Sequence, residues 1–307
     1  MTDIASIMPG KSRVCAFSVF VLFAAVLSAA PDKTYDWSQA RELFPGIEHA
    51  HISTGTPRPL KINVVRVDLS RDDLHFMTVK RDPDWGKPMP DHPELPIRTR
   101  RISVREFMEN ALEQGIDMLV AVNSTPWSPW RKPYTHTYAA KTGLLISDGD
   151  KIEDANGRPV FLITRKGEFQ IRKVGKDEDT SQIQLAVAGF SMILENGKTM
   201  GTKSLAPRTA FGLTENNRHM LIMTVDGRMK YISEGVSTLE LGEWMQYFGA
   251  VIAINMDGGG STTLVVSDGE GSIRRLNEGT IYRKVAAPLG IFRVRPSVPE
   301  TAPSAGD

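Results

Sequence analysis

Residues 250–263 read AVIAINMDGGGSTT and place a glycine-rich segment directly after a short apolar run. A run such as Ala250 to Ile254 is typical of a strand that is covered on both faces. Three adjacent glycines are costly in backbone entropy, and successive glycine N–H groups can form a concave anion nest. A binding site and a tight turn capped by Asp257 both account for the segment. We favour a site because the glycines follow a buried strand instead of joining two hairpin strands.

Each residue type in this segment has a chemical use in such a site. Asp257, at the strand exit, would point a carboxylate into the nest. The predicted nest and its hydroxyl donors are Gly258, Gly259, Gly260, Ser261 and Thr262. The segment is not a nucleotide-binding fingerprint, because it lacks GxGxxG and a Lys after the glycines, and because the next residues, TTLVV, are typical of a strand.

Two helix–strand units are predicted, and both end in a polar residue. The first unit is a helix at 103–114 followed by a covered strand that reaches Asn123, and the second is a helix at 237–248 followed by the strand that reaches Asp257. Each helix starts with the Ser-x-x-Glu pattern of a capping box. Ligands commonly bind at the exits of such strands, so both polar residues are candidates for a site.

The remaining segments indicate an antiparallel architecture. Asp148-Gly149, Asn156-Gly157, Asn196-Gly197 and Asp226-Gly227 are turn signals of the hairpin type. Residues 60–69 and 73–80 alternate apolar and polar side chains and are predicted to pair as a hairpin through 70–72. Strands outnumber helices and do not alternate with them regularly, which favours the α+β class.

We therefore predict mixed, largely antiparallel β-sheets flanked by a few helices. The predicted domain organisation is a single compact catalytic domain over 101–295, with N-terminal strands and loops of 31–100 packed on it. Residues 296–307, rich in Pro, Ser and Ala, are predicted to be a flexible tail.

Composition and the N-terminus restrict the function and its location. The 307 residues carry 37 Lys and Arg against 36 Asp and Glu, a net charge of +1 that provides no overall field for nucleic acid. Residues 1–30 have a basic start, a short apolar run and small residues before a cut, which describes a cleaved signal peptide; an uncleaved membrane anchor is the alternative. The one cysteine, Cys15, lies in this segment. We expect a periplasmic or secreted protein that is free of the membrane after cleavage.

The run NMDGGGSTT resembles the signature of the phosphodiester glycosidase family. Segments 206–212 (APRTAFG), 224–228 (TVDGR) and 143–149 (GLLISDG) resemble other stretches of that family in the same order. The resemblance covers about residues 115–294. It departs from the family after Asn123, where the usual glycine is Ser124, and this departure bears on the identity of the substrate.

The resemblance implies a glycosidase that cleaves a sugar phosphodiester, and hence a carbohydrate or sugar-phosphate substrate. Glycosidic cleavage usually needs two carboxylates. Asp257 is the first choice because it lies in the signature, and Asp226 and Glu234 compete for the second role. Arg208 is the predicted phosphate ligand because its guanidinium matches phosphate geometry, and Asn123 is predicted to bind a sugar hydroxyl or a phosphate oxygen.

Several alternatives remain open at this point. A non-catalytic polysaccharide-binding protein on the same fold is the main one, motivated by Ser124, and an esterase that releases phosphate is another. The aromatic loop 123–138 is either a sugar-stacking surface or a small apolar cluster. No cofactor and no required metal are predicted, although Asp257 and nearby carbonyl oxygens are ligands that calcium accepts. The oligomeric state is left undetermined.

Overall fold

The computed structural model describes residues 33–132, 134–140, 143–279 and 282–294. The predicted signal peptide and the predicted tail lie outside the described residues. Two α-helices are described, α1 (Val104–Glu113) and α2 (Thr238–Tyr247). The strands described are, in chain order, β1 (Arg41–Phe44), β2 (Ile47–Thr54), β3 (Leu60–Asp68), β4 (Leu74–Met77), β5 (Pro88–Met89), β6 (His92–Pro96), β7 (Thr99–Arg100), β8 (Asp117–Thr125), β9 (Tyr138–Ala139), β10 (Leu145–Ser147), β11 (Asp150–Glu153), β12 (Pro159–Thr164), β13 (Phe169–Lys173), β14 (Ile183–Ala188), β15 (Ser191–Glu195), β16 (Lys198–Thr199), β17 (Arg208–Thr214), β18 (His219–Val225), β19 (Ala250–Asn255), β20 (Leu264–Ser267), β21 (Ile273–Arg275) and β22 (Ala287–Arg293).

Three sheets form the body of the molecule. An eight-stranded sheet has the order β1-β2-β3-β18-β17-β19-β15-β16, and two five-stranded sheets have the orders β21-β20-β8-β22-β4 and β11-β10-β14-β12-β13. The pairings within these sheets are antiparallel wherever the chain is described. The α+β class predicted from the sequence is confirmed.

The helices lie on the outer faces of two sheets. α2 places Trp244 and Met245 against the eight-stranded sheet, and α1 places Phe107 and Met108 against the sheet that contains β8. The largest core cluster lies between, and it takes apolar side chains from all three large sheets. Burial of these apolar surfaces is the main stabilising term of the fold.

Both predicted capping boxes are present. At α1, Ser103 Oγ accepts from the Glu106 N–H at 3.1 Å while Glu106 Oε2 accepts from the Ser103 N–H at 2.9 Å. At α2, Ser237 and Glu240 make the same exchange at 3.1 and 2.8 Å. These side chains satisfy N–H groups that have no partner inside the helix.

The predicted hairpin of residues 60–69 and 73–80 is wrong. β3 pairs with β2 and β18 in the eight-stranded sheet, whereas β4 pairs with β22 in a different sheet. Six of the nine residues of β3 are buried, as expected for a strand in the interior of a sheet. Alternation of apolar residues identifies a strand but not its partner, and this is why the sequence misled here.

The glycine segment is the point at which the chain changes sheets. β19 belongs to the eight-stranded sheet, and β20 belongs to the sheet that also contains β8. Between them lies a single 3-10 turn, Gly259–Ser261. The polar ends of β8 and β19 therefore meet at this crossing.

Candidate functional site

One end of the eight-stranded sheet gathers three of the predicted residues. Arg208 begins β17 and lies opposite Val225, the last residue of β18, so Asp226 follows directly beside it. β19 pairs with the other side of β17 and leads into Asp257 at the same end. Antiparallel pairing thus places Arg208, Asp226 and Asp257 at the same end of three neighbouring strands, although they are far apart in the chain.

Asn123 braces the crossing between the two sheets. Its Nδ2 donates to the Asp257 carbonyl oxygen at 2.6 Å, and its Oδ1 accepts from Thr209 Oγ1 at 2.8 Å and from the Thr263 N–H at 3.0 Å. The side chain has no solvent exposure. The predicted contact between Asn123 and a substrate does not fit this geometry, because these protein partners occupy the amide; its position favours a positioning role.

Asp257 is a buried carboxyl group, and one of its two oxygens has no hydrogen-bond partner. Its Oδ1 accepts from the Gly258 N–H at 3.0 Å, whereas Oδ2 has no hydrogen-bond partner. Ser261 and Trp127 face the group closely enough to lower its pKa, but neither side chain reaches good hydrogen-bonding geometry. Burial dominates these opposing effects and raises the pKa of Asp257 to about 6. A carboxyl group with this pKa exchanges protons near neutrality.

The glycine run does not form the predicted open nest. The Gly259 N–H donates to the Pro207 carbonyl oxygen, and the Ser261 and Thr262 N–H groups donate to carbonyl oxygens within the run itself. Of the N–H groups of residues 258–262, all of which the structure describes, Gly260 alone has no protein acceptor. The prediction of an anion nest built from these groups is wrong, because a closed 3-10 turn consumes them.

The glycines serve close approach instead. Gly259 has φ +61°. A Cβ atom at Gly258 would lie 2.9 Å from the Pro207 carbonyl oxygen, and one at Gly260 would lie 2.4 Å from Arg283 Nη2. Side chains at these positions would push away the neighbouring strand and an arginine that faces the turn. The run therefore allows arginines to approach the backbone beside Asp257.

A cavity of about 240 Å³ opens on one side of the turn. Asp226 lies in its wall, where Oδ1 accepts from Asn277 Nδ2 and Oδ2 accepts from the Glu278 N–H, both at 3.1 Å. Burial raises the pKa of Asp226 despite these two donors. Arg228 and Gly260 line the same cavity, so a carboxyl group and a guanidinium face one space.

Glu234 stands apart from this cavity. Its backbone is anchored, because the Glu234 N–H donates to the Pro59 carbonyl oxygen and its own carbonyl oxygen accepts from the Arg228 N–H. The side chain is half-buried and is not among the residues that line the cavity. Of the two carboxylates that compete for the second role, Asp226 has the position that fits a bound substrate better.

Four arginines surround the crossing without a carboxylate partner. Arg101, Arg208, Arg228 and Arg283 form no salt bridge with any residue that the structure describes. Arg208 donates to the carbonyl oxygens of Val236 and Ser204, and burial together with nearby Arg228 lowers its pKa. Burial also lowers the pKa of Arg101 to about 10. Asp257 is the carboxylate nearest in charge, since it acts on the pKa of Arg101 and Arg283 acts on that of Asp257. Four arginines against one such carboxylate favour an anionic ligand.

Sequence reasoning missed Arg101, Arg228, Arg283 and Asn277 as members of the site. Arg101 precedes the capping box of α1, and its guanidinium lies 3.9 Å from the centre of the Trp127 ring. Arg283 follows the glycine segment by more than twenty residues and carries no motif. Only the three-dimensional crossing brings these side chains together. The sequence offered a signal for Arg228 alone, which follows Asp226-Gly227.

The aromatic loop has a buried inner part and an exposed outer part. Trp127 is buried beside Asp257 and contacts His136, with ring centres 5.5 Å apart. Trp130 is 53% exposed and packs edge-on against Trp127 at 4.7 Å. The inner part is an apolar cluster, and the outer part is an aromatic surface open to solvent.

Metal ligands do not converge at the site as described. No group of three or more His, Cys, Asp or Glu side chains within the described ranges has an arrangement that could hold a metal ion.

Neither of the two described helices is long and apolar enough to cross a membrane.

Comparison with known families decides the classification. The family model described as phosphodiester glycosidase matches residues 120–292, more than half of the chain. The chain belongs to the phosphodiester glycosidase family. The matched region contains Asn123, Arg208, Asp226 and Asp257. The family is of the glycosidase type, which implies a carbohydrate-type substrate.

Three solved structures share the fold at low sequence identity. The catalytic domain of zebrafish N-acetylglucosamine-1-phosphodiester alpha-N-acetylglucosaminidase, auto-inhibited by its pro-peptide, is 18% identical, with 82% of this chain and 85% of that chain covered and a TM-score of 0.58. A hypothetical protein from Synechocystis is 11% identical over 81% of this chain and 62% of that chain, with a TM-score of 0.56. A candidate exported protein from Burkholderia pseudomallei K96243 is 14% identical over 78% of this chain and 75% of that chain, with a TM-score of 0.51. No curated protein matches the sequence significantly.

Proposed function

We propose that this protein hydrolyses the glycosidic bond between a sugar and phosphate in a sugar phosphodiester, or a related bond in a cell-surface or exopolysaccharide. The observation that carries the proposal is the buried Asp257 carboxyl group with its unpartnered Oδ2 beside the family's glycine turn. Family membership supports the carbohydrate part of the proposal. The unpaired arginines support the phosphate part.

Asp257 is the proposed base. Phosphate is a good leaving group and needs less protonation than an alcohol, so activation of the attacking water is the harder task. A carboxylate with a pKa of about 6 is ionised near neutral pH and still accepts a proton readily. The water oxygen bonds to the anomeric carbon, its proton passes to Asp257, and the bond from that carbon to the phosphate oxygen breaks with its electron pair leaving on phosphate.

Asp226 and the arginines are proposed to act on the leaving phosphate. Arg228 lines the cavity, and Arg208 lies close enough to Arg228 for the two charges to interact. Both are proposed to stabilise the negative charge that develops on phosphate. Burial raises the pKa of Asp226, which suits a group that donates a proton to a phosphate oxygen. Glu234 keeps a supporting place in this scheme because its carbonyl oxygen accepts from the Arg228 N–H.

The proposed location is periplasmic or secreted. The support comes from residues 1–30, whose sequence has the three parts of a signal peptide. A substrate in a cell-surface polysaccharide would be reached there.

The test uses a synthetic sugar-1-phosphate methyl diester in water enriched with oxygen-18. Glycosidic cleavage places the label on the sugar, whereas an esterase places it on phosphate. We expect label on the sugar and a loss of at least about 100-fold in kcat/KM for Asp257→Asn, the usual scale for removal of a general base. Asp148→Asn is the matched control, because Asp148 also precedes a glycine but is exposed in the turn between β10 and β11.

Either of two results would overturn the proposal. Label found on phosphate would favour the esterase. Binding of diesters without turnover by the wild-type protein would favour a non-catalytic polysaccharide-binding protein.

A further inference from the structure

The loop 226–236 presents a fixed tip to solvent. Its base packs tightly against the residues before β17. A Cβ atom at Gly235 would lie 2.5 Å from the Ala206 carbonyl oxygen, and Val236 forms an antiparallel β-bridge with Ala206. At its tip, Tyr231 is 78% exposed and Ile232 is 48% exposed. The anchored loop thus holds two adjacent large side chains open to solvent at its tip.

The backbone of this tip is strained. Arg228 and Tyr231 have φ values of +61° and +67°, in the left-handed region that favours glycine. Non-glycine residues in this conformation cost free energy and cluster at functional sites. The Lys230 ammonium lies 4.8 Å from the centre of the Tyr231 ring, so the tip also carries positive charge.

A second exposed aromatic lies on the other side of the glycine turn. Trp130 is 53% exposed and packs against Trp127 and Tyr134, with ring centres 4.7 and 4.6 Å away. The Arg283 guanidinium lies 5.2 Å from the centre of the Trp130 ring. Trp130 and Arg283 therefore repeat the arrangement of Tyr231 and Lys230, a cation beside an accessible aromatic face.

Two arginines lie against the glycine turn, between the tip of loop 226–236 and Trp130. A Cβ atom at Gly260 would lie 2.4 Å from Arg283 Nη2, and one at Gly259 would lie 3.3 Å from Arg228 Nη1. Neither arginine forms a salt bridge with a described residue, and Arg283 lies close enough to Asp257 to lower the pKa of that carboxyl group. We call the resulting surface the aromatic–cationic band, which consists of Trp130, Arg283, Arg228, Lys230 and Tyr231.

We propose that the aromatic–cationic band binds an extended anionic glycan, so that the substrate is a chain of several sugars and not a single diester. The inference rests on the proposed function, since the band crosses the turn next to Asp257. Unpaired cations along the band match repeated negative charges. The aromatic faces at both ends suit stacking on sugar rings beyond the bond that is cleaved.

Binding by the Asp257→Asn protein tests the proposal without catalysis. The probes are synthetic hexose-1-phosphate oligomers of one to six units joined by phosphodiesters, and a neutral hexasaccharide, titrated by calorimetry. We expect affinity to rise with length, the neutral hexasaccharide to bind at least about tenfold more weakly than the charged hexamer, and higher salt to weaken charged binding. Tyr231→Ala and Trp130→Ala should each weaken binding of the hexamer about 3- to 10-fold, while binding of the single unit stays the same.

Val251→Ala is the control for these variants. Val251 is 47% exposed near the start of β19, at the opposite end of that strand from Asp257. Equal affinity for one unit and six units, equal affinity for charged and neutral hexamers, or wild-type hexamer binding by both aromatic variants would each overturn the proposal. If binding depends on length but the wild-type protein cleaves no diester, the proposed function is refuted while the proposed glycan-binding role of the band stands.

Discussion

Asn123 shows how a polar residue near the end of a strand serves a site without touching a ligand. Its amide joins the Asp257 carbonyl oxygen to Thr209 and to Thr263, three partners on three segments. The sequence marked Asn123 and Asp257 as residues that follow their strands; Asp257 does, whereas β8 continues to Thr125, so Asn123 lies within the strand near its end. The role of Asn123 was beyond prediction, because the direction of a buried amide depends on which strands become neighbours.

Replacement of Asn123 by Ala should destabilise the fold. The change leaves a buried hydroxyl, N–H and carbonyl without their partner, and each such group costs about 1–3 kcal/mol. We expect the free energy of unfolding, measured with urea, to fall by about 3 kcal/mol. Asn110→Ala, on the exposed face of α1, should change it by less than about 0.5 kcal/mol. Equal effects of the two substitutions would contradict the bracing role.

Asp257 should lower the stability of the protein at neutral pH. Its pKa rises from 3.8 in the unfolded chain to about 6 in the fold. The native state therefore binds the extra proton between these values, and stability is lost as the pH rises through them. The loss amounts to about 3 kcal/mol when converted at about 1.4 kcal/mol per pH unit.

Asp257→Asn should consequently be more stable than the wild type at pH 7.5, by up to about 3 kcal/mol, and the difference should shrink toward pH 4.5. Urea unfolding at both pH values measures this. Asp148→Asn, at an exposed position, should show little change at either pH. A variant that is less stable than the wild type at pH 7.5 would refute the assigned pKa direction.

At the scale of elements, both predicted helices match the structure because their signals are local. Of the four hairpin-type turn signals, two lie in hairpins, whereas Asn156-Gly157 and Asp226-Gly227 join strands that do not pair with each other or lead into a loop. The capping boxes of α1 and α2 and the turns at Asp148-Gly149 and Asn196-Gly197 need only neighbouring residues. The pairing of β3 with β18 joins segments about 150 residues apart and leaves no local trace. The same limit explains why the closed glycine turn was misread as open, since Pro207, the residue before β17, accepts from the Gly259 N–H across the fold.

The loop 226–236 depends on the absence of a side chain at Gly235. Gly235→Ala places a Cβ atom 2.5 Å from the Ala206 carbonyl oxygen at φ +93°, whereas Gly157→Ala meets open space at φ +82°. Backbone strain is thus similar, and only the first variant adds a clash. We expect Gly157→Ala to cost about 1 kcal/mol of unfolding free energy and Gly235→Ala distinctly more, with weaker binding of a sugar phosphodiester because Arg228 moves. Equal unfolding energies would show that the loop base is not clamped.

At the scale of the whole molecule, the site exists because the chain passes from one sheet to another at the glycine turn. β8 supplies Asn123, the eight-stranded sheet supplies Arg208, Asp226 and Asp257, and the glycine turn connects the sheets. The family was recognisable from the signature alone. The arginines that give the site its charge were not, because Arg101 and Arg283 lie outside any motif and come close to Asp257 and the turn only after folding.

The pH dependence of kcat/KM on a sugar-1-phosphate methyl diester tests the role of Asp257 most directly, because this ratio reports the pKa values of the free enzyme. With Asp257 as the base, activity requires its ionised form, so the rate should fall below a midpoint near pH 6. The residual activity of Asp257→Asn should lack that acidic limb. A wild-type rate that stays level down to pH 4.5, or an unchanged limb in Asp257→Asn, would contradict the account.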